Sequence, residues 1–255
     1  MAVPCVFCGQ LKPSKEHVYP KWLRKVMGEY DRVVNVVETA EGRTVRPTQA
    51  AFDITVQAVC HDCNTGWMHD LEDAASPLLK PMIRGERRDL SVAQQRVLAL
   101  WVCKTVLMMA QQAKSTSVVP LDHYRSAISA KLPPVGTSVW LATQTESLTG
   151  PVSAVSSFID QLVSASPYPG IPVGTPLYSA GLAVGAFGAL LLANARGTVP
   201  SPLPSPEAEQ YVLPVWPPSR PGVWPPHSTD ELGGFAAFYQ RLFGSETGPA
   251  GVADL

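Results

Sequence analysis

Two Cys-x-x-Cys pairs separated by 51 residues (9–59) constrain this chain more than any other feature. They are Cys5-Val-Phe-Cys8, followed by Gly9, and Cys60-His-Asp-Cys63, followed by Asn64. Each pair bends the backbone so that two thiolates converge, and two pairs complete a tetrahedral four-thiolate zinc site. The bland alternative is two unrelated pairs of reduced thiols. His61 could replace a thiolate, but four cysteines make it unnecessary. The intervening stretch is longer than a compact ribbon carries, so chain is inserted between the halves and zinc would tie distant segments together. Four thiolates leave zinc no open position, which makes such an ion structural and unable to activate water.

Composition narrows the surroundings of this site. The 255 residues carry 20 basic against 21 acidic side chains, with 45% apolar and 16% charged residues, which argues against wholesale disorder. Five cysteines are too few and too unevenly placed for a disulfide scaffold. A net charge of −1 excludes an overall basic nucleic-acid coating protein. No charged leader precedes an apolar run at the N-terminus, and the apolar stretch 181–195, broken by Gly185 and Gly188, is too short to span a bilayer. A soluble, cytoplasmic chain without membrane partners is the expectation.

The charges are uneven. Residues 1–104 hold 14 Lys and Arg against 12 Asp and Glu, and residues 105–255 hold 6 against 9. Sixteen of the 25 prolines lie after residue 150, so long C-terminal stretches should be loop or extended chain. A cysteine-rich module over 1–76 is followed by a C-terminal region, 77–255. Ser91 caps a long helix over about 91–113, where Val97, Leu98, Trp101, Val102, Thr105 and Met108 recur at helical spacing. Cys103 within it reads as a buried thiol. A short helix is expected at 121–131, ended by Pro133-Pro134, then β-leaning runs at 137–145, 152–163 and 178–195. The β-rich part extends over about 135–216. The tail repeats Val215-Trp-Pro-Pro as Val223-Trp-Pro-Pro within Pro-rich loops, then offers a helix at 230–243 (217–244 in all). Trp-Pro-Pro suits either a polyproline ligand or a loop packing its own tryptophans onto the domain. The last dozen residues should fray.

Polar residues flank both cysteine pairs. Glu16-His17 lies in Lys15-Glu-His-Val-Tyr-Pro20, and Asn64 follows Cys63 at the start of a helix through Trp67, Leu71 and Glu72. A zinc site would bring a carboxylate, an imidazole and an amide oxygen together. Hard divalent ions such as Mg²⁺ take oxygen ligands, and a neutral imidazole can serve as general base. That combination suits phosphodiester hydrolysis. Single-purpose readings exist too: His17 as a structural histidine before a helix at 20–28 with Pro20 at N1, Glu16 as a surface carboxylate, Asn64 as an N-cap. His69, Asp70 and Asp73 read as solvated. Lys12, Lys15, Lys21, Arg24 and Lys25 bracket Glu16-His17 and suit phosphate positioning, as against an ordinary charged surface. Arg84, Arg87 and Arg88 form a second group.

Together Cys5-x-x-Cys8-Gly9, Glu16-His17-Val18-x-Pro20 and Cys60-x-x-Cys63-Asn64 resemble the treble-clef His-Asn-His (HNH) endonucleases. The extended forms Glu-His-Val-x-Pro-x-Trp-Leu (16–23) and Cys-Asn-x-Gly-Trp-Met (63–68) look like a bacterial and phage subgroup. The match covers roughly residues 4–73. The fold class implied is α+β: an N-terminal treble-clef, HNH-type zinc module, a helical segment, and a mixed α+β C-terminal region. By resemblance, His17 is the general base, Glu16 and Asn64 hold the catalytic divalent ion (Mg²⁺ or another), and Cys5, Cys8, Cys60 and Cys63 hold structural Zn²⁺. Lys15, Lys21 and Arg24 would contact substrate, expected to be DNA. Two positions depart from the pattern. Thr55 stands where the family has the Asn that orients the His, with Asp53 and Gln57 as nearby polar alternatives, and Trp67-Met68 stand where a basic residue is common. A catalytically inactive zinc module for nucleic-acid or protein binding is the rival reading. A phage or defence factor contacting a protein partner through the C-terminal region is a third.

Overall fold

The computed structural model describes residues 4–11, 13–28, 33–39, 42–47, 54–112, 119–144, 153–163, 175–194 and 206–243. Expectations for Lys12, Asp53 and the terminal residues fall outside these.

The longest helix begins where its sequence says it should. Ser91 Oγ accepts from the Gln94 N–H at 3.3 Å while the Ser91 N–H donates to Gln94 Oε1 at 2.9 Å. This reciprocal box satisfies two donors at a helix start. The helix it opens, Val92–Gln112, is buried on every side from Leu98 to Ala110. In chain order the helices are α1 (Lys21–Met27), α2 (His69–Ile83), α3 (Val92–Gln112), α4 (Leu121–Ala130) and α5 (Gly234–Phe243). Pro20 caps α1 from outside, in extended conformation, one position earlier than the N1 expected for it. The expected helix at 230–243 divides into a 3-10 turn, Thr229–Leu232, and α5.

The strands are β1 (Pro13–His17), β2 (Val33–Thr39), β3 (Gly42–Pro47), β4 (Thr55–Cys60), β5 (Arg88–Leu90), β6 (Thr137–Thr143), β7 (Ser153–Val163), β8 (Pro176–Val184), β9 (Phe187–Asn194), β10 (Leu213–Trp216) and β11 (Gly222–Trp224). Seven form one sheet in the order β10-β6-β9-β8-β7-β2-β3. The β-leaning run 178–195 is a hairpin, β8 and β9, turned at Gly185 with φ +57°. A Cβ there would stand 2.5 Å from the Ile83 carbonyl oxygen, so the close seating of this turn on the end of α2 requires glycine.

Burial runs almost without a break along β6, β8 and β9 because both sheet faces are covered. Val139, Leu141, Leu182, Val184 and Leu191 face the core shared with α2 and α3, whereas Trp140, Leu190 and Leu192 face α5 and its Phe235, Phe238 and Tyr239. The first core also takes in Cys5, Phe7, Cys60, Cys63 and Trp224. The two Val-Trp-Pro-Pro copies end strands β10 and β11, and Trp224 is fully buried, its indole donating to the Ala142 carbonyl at 3.5 Å. They pack their own tryptophans onto the domain.

The insertion between the two cysteine pairs has a defined place. Strands β2 and β3 form an antiparallel hairpin, and β2 runs parallel to β7, with Val33 opposite Ser153. The chain between the pairs thus supplies one edge of the large sheet. No helix among the described residues is long and apolar enough to cross a membrane.

Candidate metal centre

Strands β1 and β4 are antiparallel neighbours, pairing Pro13 with Cys60 and His17 with Thr55. This ladder, with the Val6 N–H donating to the Ala58 carbonyl at 2.9 Å, carries the first cysteine pair onto the second. In the first pair, the Gly9 N–H donates to the Cys5 carbonyl at 2.8 Å, and Gly9 takes φ +78°, which suits glycine. In the second, the Cys63 N–H donates to Cys60 Sγ at 3.4 Å. Cys60 therefore caps the short helical turn His61–Cys63, so the alternative reading of Asn64 as an N-cap does not hold; Asn64 follows that turn.

The four sulfurs of Cys5, Cys8, Cys60 and Cys63 all lie within 4.8 Å of one another. Cys5 and Cys63 are 3.8 Å apart, and Cys8 and Cys60 are 3.5 Å apart. Zn–S bonds of about 2.3 Å give a tetrahedral S···S edge of about 3.8 Å. The donor set therefore fits a structural zinc ion in spacing and in chemistry. Burial opposes a Cys5 thiolate, yet the backbone N–H groups of Cys60, Cys8 and Phe7 hold its pKa down to about 7. Burial and the crowding of the other thiols push Cys63 up, so closing the set of four thiolates calls for a cation among them.

Aromatic packing fixes the first knuckle. Phe7 meets Trp67 edge-on at 5.1 Å and Tyr124 of α4 at 5.6 Å. Trp67, at the position where a basic residue was looked for, serves as part of the wall behind the cysteines.

Beside the cysteines lies a polar cluster. The β1–β4 ladder slips register between Ser14 and Glu16, a bulge of the kind that re-aims a side chain. Glu16 is only 8% exposed, and the Asn64 side-chain amide donates to its carboxylate. Burial raises the Glu16 pKa; Lys104 and the Asn64 bond draw it back, while Glu72 adds to the rise. Lys104, in the middle of α3, is 0% exposed, and its Nζ stands 2.6 Å from Glu72 Oε1 on α2, whose side chain is 18% exposed. Glu16 on β1, Glu72 on α2, Lys104 on α3 and Asn64 in the turn after Cys63 thus bring two carboxylates, an ammonium and an amide to one patch.

His17 is half-buried on β1 and adjoins Glu16 along the chain. Neighbours in a strand address opposite faces, and the burial of the pair follows that rule. Thr55, at the position where the family pattern has an orienting Asn, is directly across the ladder from His17; Gln57 is exposed. Lys15, Lys21 and Arg24 are exposed on β1 and α1. His69 and Asp73 form an exposed pair at 3.6 Å. Arg87 and Arg88 pair with Asp89 and Glu86 at 3.7 and 3.2 Å.

The structure brings Glu16 and Asn64 into contact and sets His17 against Thr55. Among the described residues, only the four cysteines form a group of three or more Cys, His, Asp or Glu side chains with converging donor atoms. Glu72 and Lys104 were not anticipated in the site. One signal for Lys104 is present in the chain: it is the only charged residue between Val97 and Ala113, and a lysine inside an apolar helix needs a buried partner. No protein-family model, curated protein or solved structure matches this chain.

Proposed function

We propose that this protein is a metal-dependent HNH-type endonuclease on a treble-clef zinc module, hydrolysing phosphodiester bonds of DNA. The observation that carries the reading is the contact of Glu16 on β1 with Asn64, which follows the second cysteine pair, with His17 next to Glu16 along the chain. A buried carboxylate and an amide oxygen are the donor types a hard divalent ion such as Mg²⁺ accepts. Such an ion, when bound, would stabilise charge developing on the scissile phosphate.

His17 takes the proton of a water as that oxygen attacks phosphorus. The P–O bond to the departing sugar oxygen breaks, and solvent supplies the proton that oxygen needs. Partial exposure lets the ring meet water and substrate, and Thr55 is the neighbour placed to orient it. Lys15, Lys21 and Arg24 hold the flanking phosphates, fixing register without reading sequence. A zinc ion held by Cys5, Cys8, Cys60 and Cys63 would keep β1 against the turn that carries Asn64.

The test is nicking of supercoiled plasmid with Mg²⁺, Mn²⁺ or Ni²⁺. Cleavage is expected from the zinc-loaded protein and is lost in His17→Ala. Cleavage that survives that substitution unchanged would overturn the mechanism.

One observation favours a second reading, a zinc module that binds nucleic acid or protein without turnover. Lys104 already sets an ammonium against the charge of Glu72 and Glu16. That reading expects zinc binding with no cleavage under any ion, and a fold unchanged in Glu16→Ala.

A further inference from the structure

Lys104 is the one buried cation in the described core, and the hydrolytic scheme above does not use it. It has no exposure, so it cannot touch substrate. Its Nζ lies 2.6 Å from Glu72 Oε1 at the point where α3 crosses α2, and Glu16 reaches the same patch from β1. A fully buried lysine is retained against a large desolvation cost only where carboxylates surround it. Here those carboxylates belong to, or adjoin, the proposed ion site.

We propose that Lys104 is the resident counter-cation of this site, a positioning residue that balances Glu72 and Glu16 before a divalent ion arrives and thereby sets how tightly that ion binds. The inference rests on the divalent-ion reading above. With the ammonium in place the three charged groups sum to −1. The bound ion then sits near a fixed positive charge, which weakens its binding. Removing the ammonium leaves −2 and strengthens it. At the effective dielectric of protein sites, one unit charge a few ångströms away changes cation affinity by about tenfold or more. The side chain of Glu72 divides the ammonium's attention, so the two partners have opposite effects.

The experiment is calorimetric titration of zinc-loaded protein with Mn²⁺. Mn²⁺ prefers oxygen donors and leaves the thiolate site to zinc. Lys104→Met should bind Mn²⁺ about tenfold tighter than the wild type. Lys104→Arg, which keeps the charge, should stay near it. Glu72→Gln frees the ammonium toward Glu16 and should bind more weakly, which keeps the question open to measurement if Lys104→Met does not fold. Glu16→Gln should abolish the Mn²⁺ signal in every background. A purely structural Lys104 would alter stability and leave Mn²⁺ affinity alone. Unchanged affinity in both Lys104→Met and Glu72→Gln overturns the inference while leaving the nuclease reading intact. The expected affinity series without plasmid cleavage supports the inference and sinks the nuclease. No Mn²⁺ binding in any variant overturns both.

Discussion

His17 and Thr55 face each other across the β1–β4 ladder, as Cα partners in register. Directly opposed side chains on such a ladder have Cβ atoms about 4.5–5.5 Å apart, within reach of a hydroxyl or a longer amide. Thr55→Asn would place the longer amide where the family pattern carries it. We expect a several-fold higher nicking rate with substrate KM unchanged, and a lower rate in Thr55→Val. A properly oriented base is worth about 10²–10⁴-fold, so His17→Ala sets the floor. Equal rates in all three Thr55 forms would show that the ring is oriented by something else.

One zinc per chain is expected by elemental analysis, falling to none in Cys60→Ser or Cys63→Ser. Structural zinc in small modules binds with apparent free energies of about 10 kcal/mol or more. Here the knuckles belong to the main core, so even a loss of about 3 kcal/mol should lower Tm by roughly 6–12 °C. Metal removed by chelator at neutral pH should reproduce the shift, and restored zinc should reverse it. A zinc-free protein with unchanged Tm would refute the stapling role.

Truncating one member of the Lys104–Glu72 pair strands the other. Lys104→Ala should cost about 3–5 kcal/mol in urea unfolding, whereas Lys104→Met with Glu72→Leu should recover most of it, since a well-packed apolar pair can replace a buried ion pair. The check is the midpoint shift at constant m value. A single variant within about 0.5 kcal/mol of wild type would contradict the burial described for Lys104.

His123 on α4 shares a 2.8 Å hydrogen bond with the Tyr178 hydroxyl of β8. Burial holds its pKa below the usual 6.5, and Asp122 only partly offsets this. The unfolded chain therefore takes up a proton on His123 before the folded chain does. Stability from this group is fully present above pH 6.5 and declines as pH falls from there toward the folded value. Between pH 7.5 and 5.5, Tm should drop less in His123→Gln than in the wild type. Parallel pH profiles for the two proteins would argue against it.

What could be read from the chain was what depends on neighbours in sequence. The cysteine spacing, the Ser91 cap and the β-leaning runs at β6, β8 and β9 are local patterns, and each has its counterpart in the fold. The alternative reading of Asn64 as a cap does not hold, because a thiol, outside the usual capping groups, takes that bond at Cys60. The partnership of Lys104 with Glu72 spans 32 residues, and that of Val33 with Ser153 spans 120. No local periodicity encodes either. The slip at Ser14–Glu16 likewise follows from strand pairing and leaves no mark on composition.

The placement of β2 alongside β7 has a consequence for how this protein is made. Synthesis proceeds from the N-terminus, and both cysteine pairs are complete once residue 63 has emerged. The hairpin looped out between them must still wait for residues 153–163 to find its parallel neighbour. Contacts of such separation form late. A nascent chain can therefore gather its zinc early and hold the loop closed, with the edge of β2 exposed, for another hundred residues of growth. During that interval a zinc ion and the short β1–β4 ladder, rather than the large sheet, would keep the insertion's two ends together.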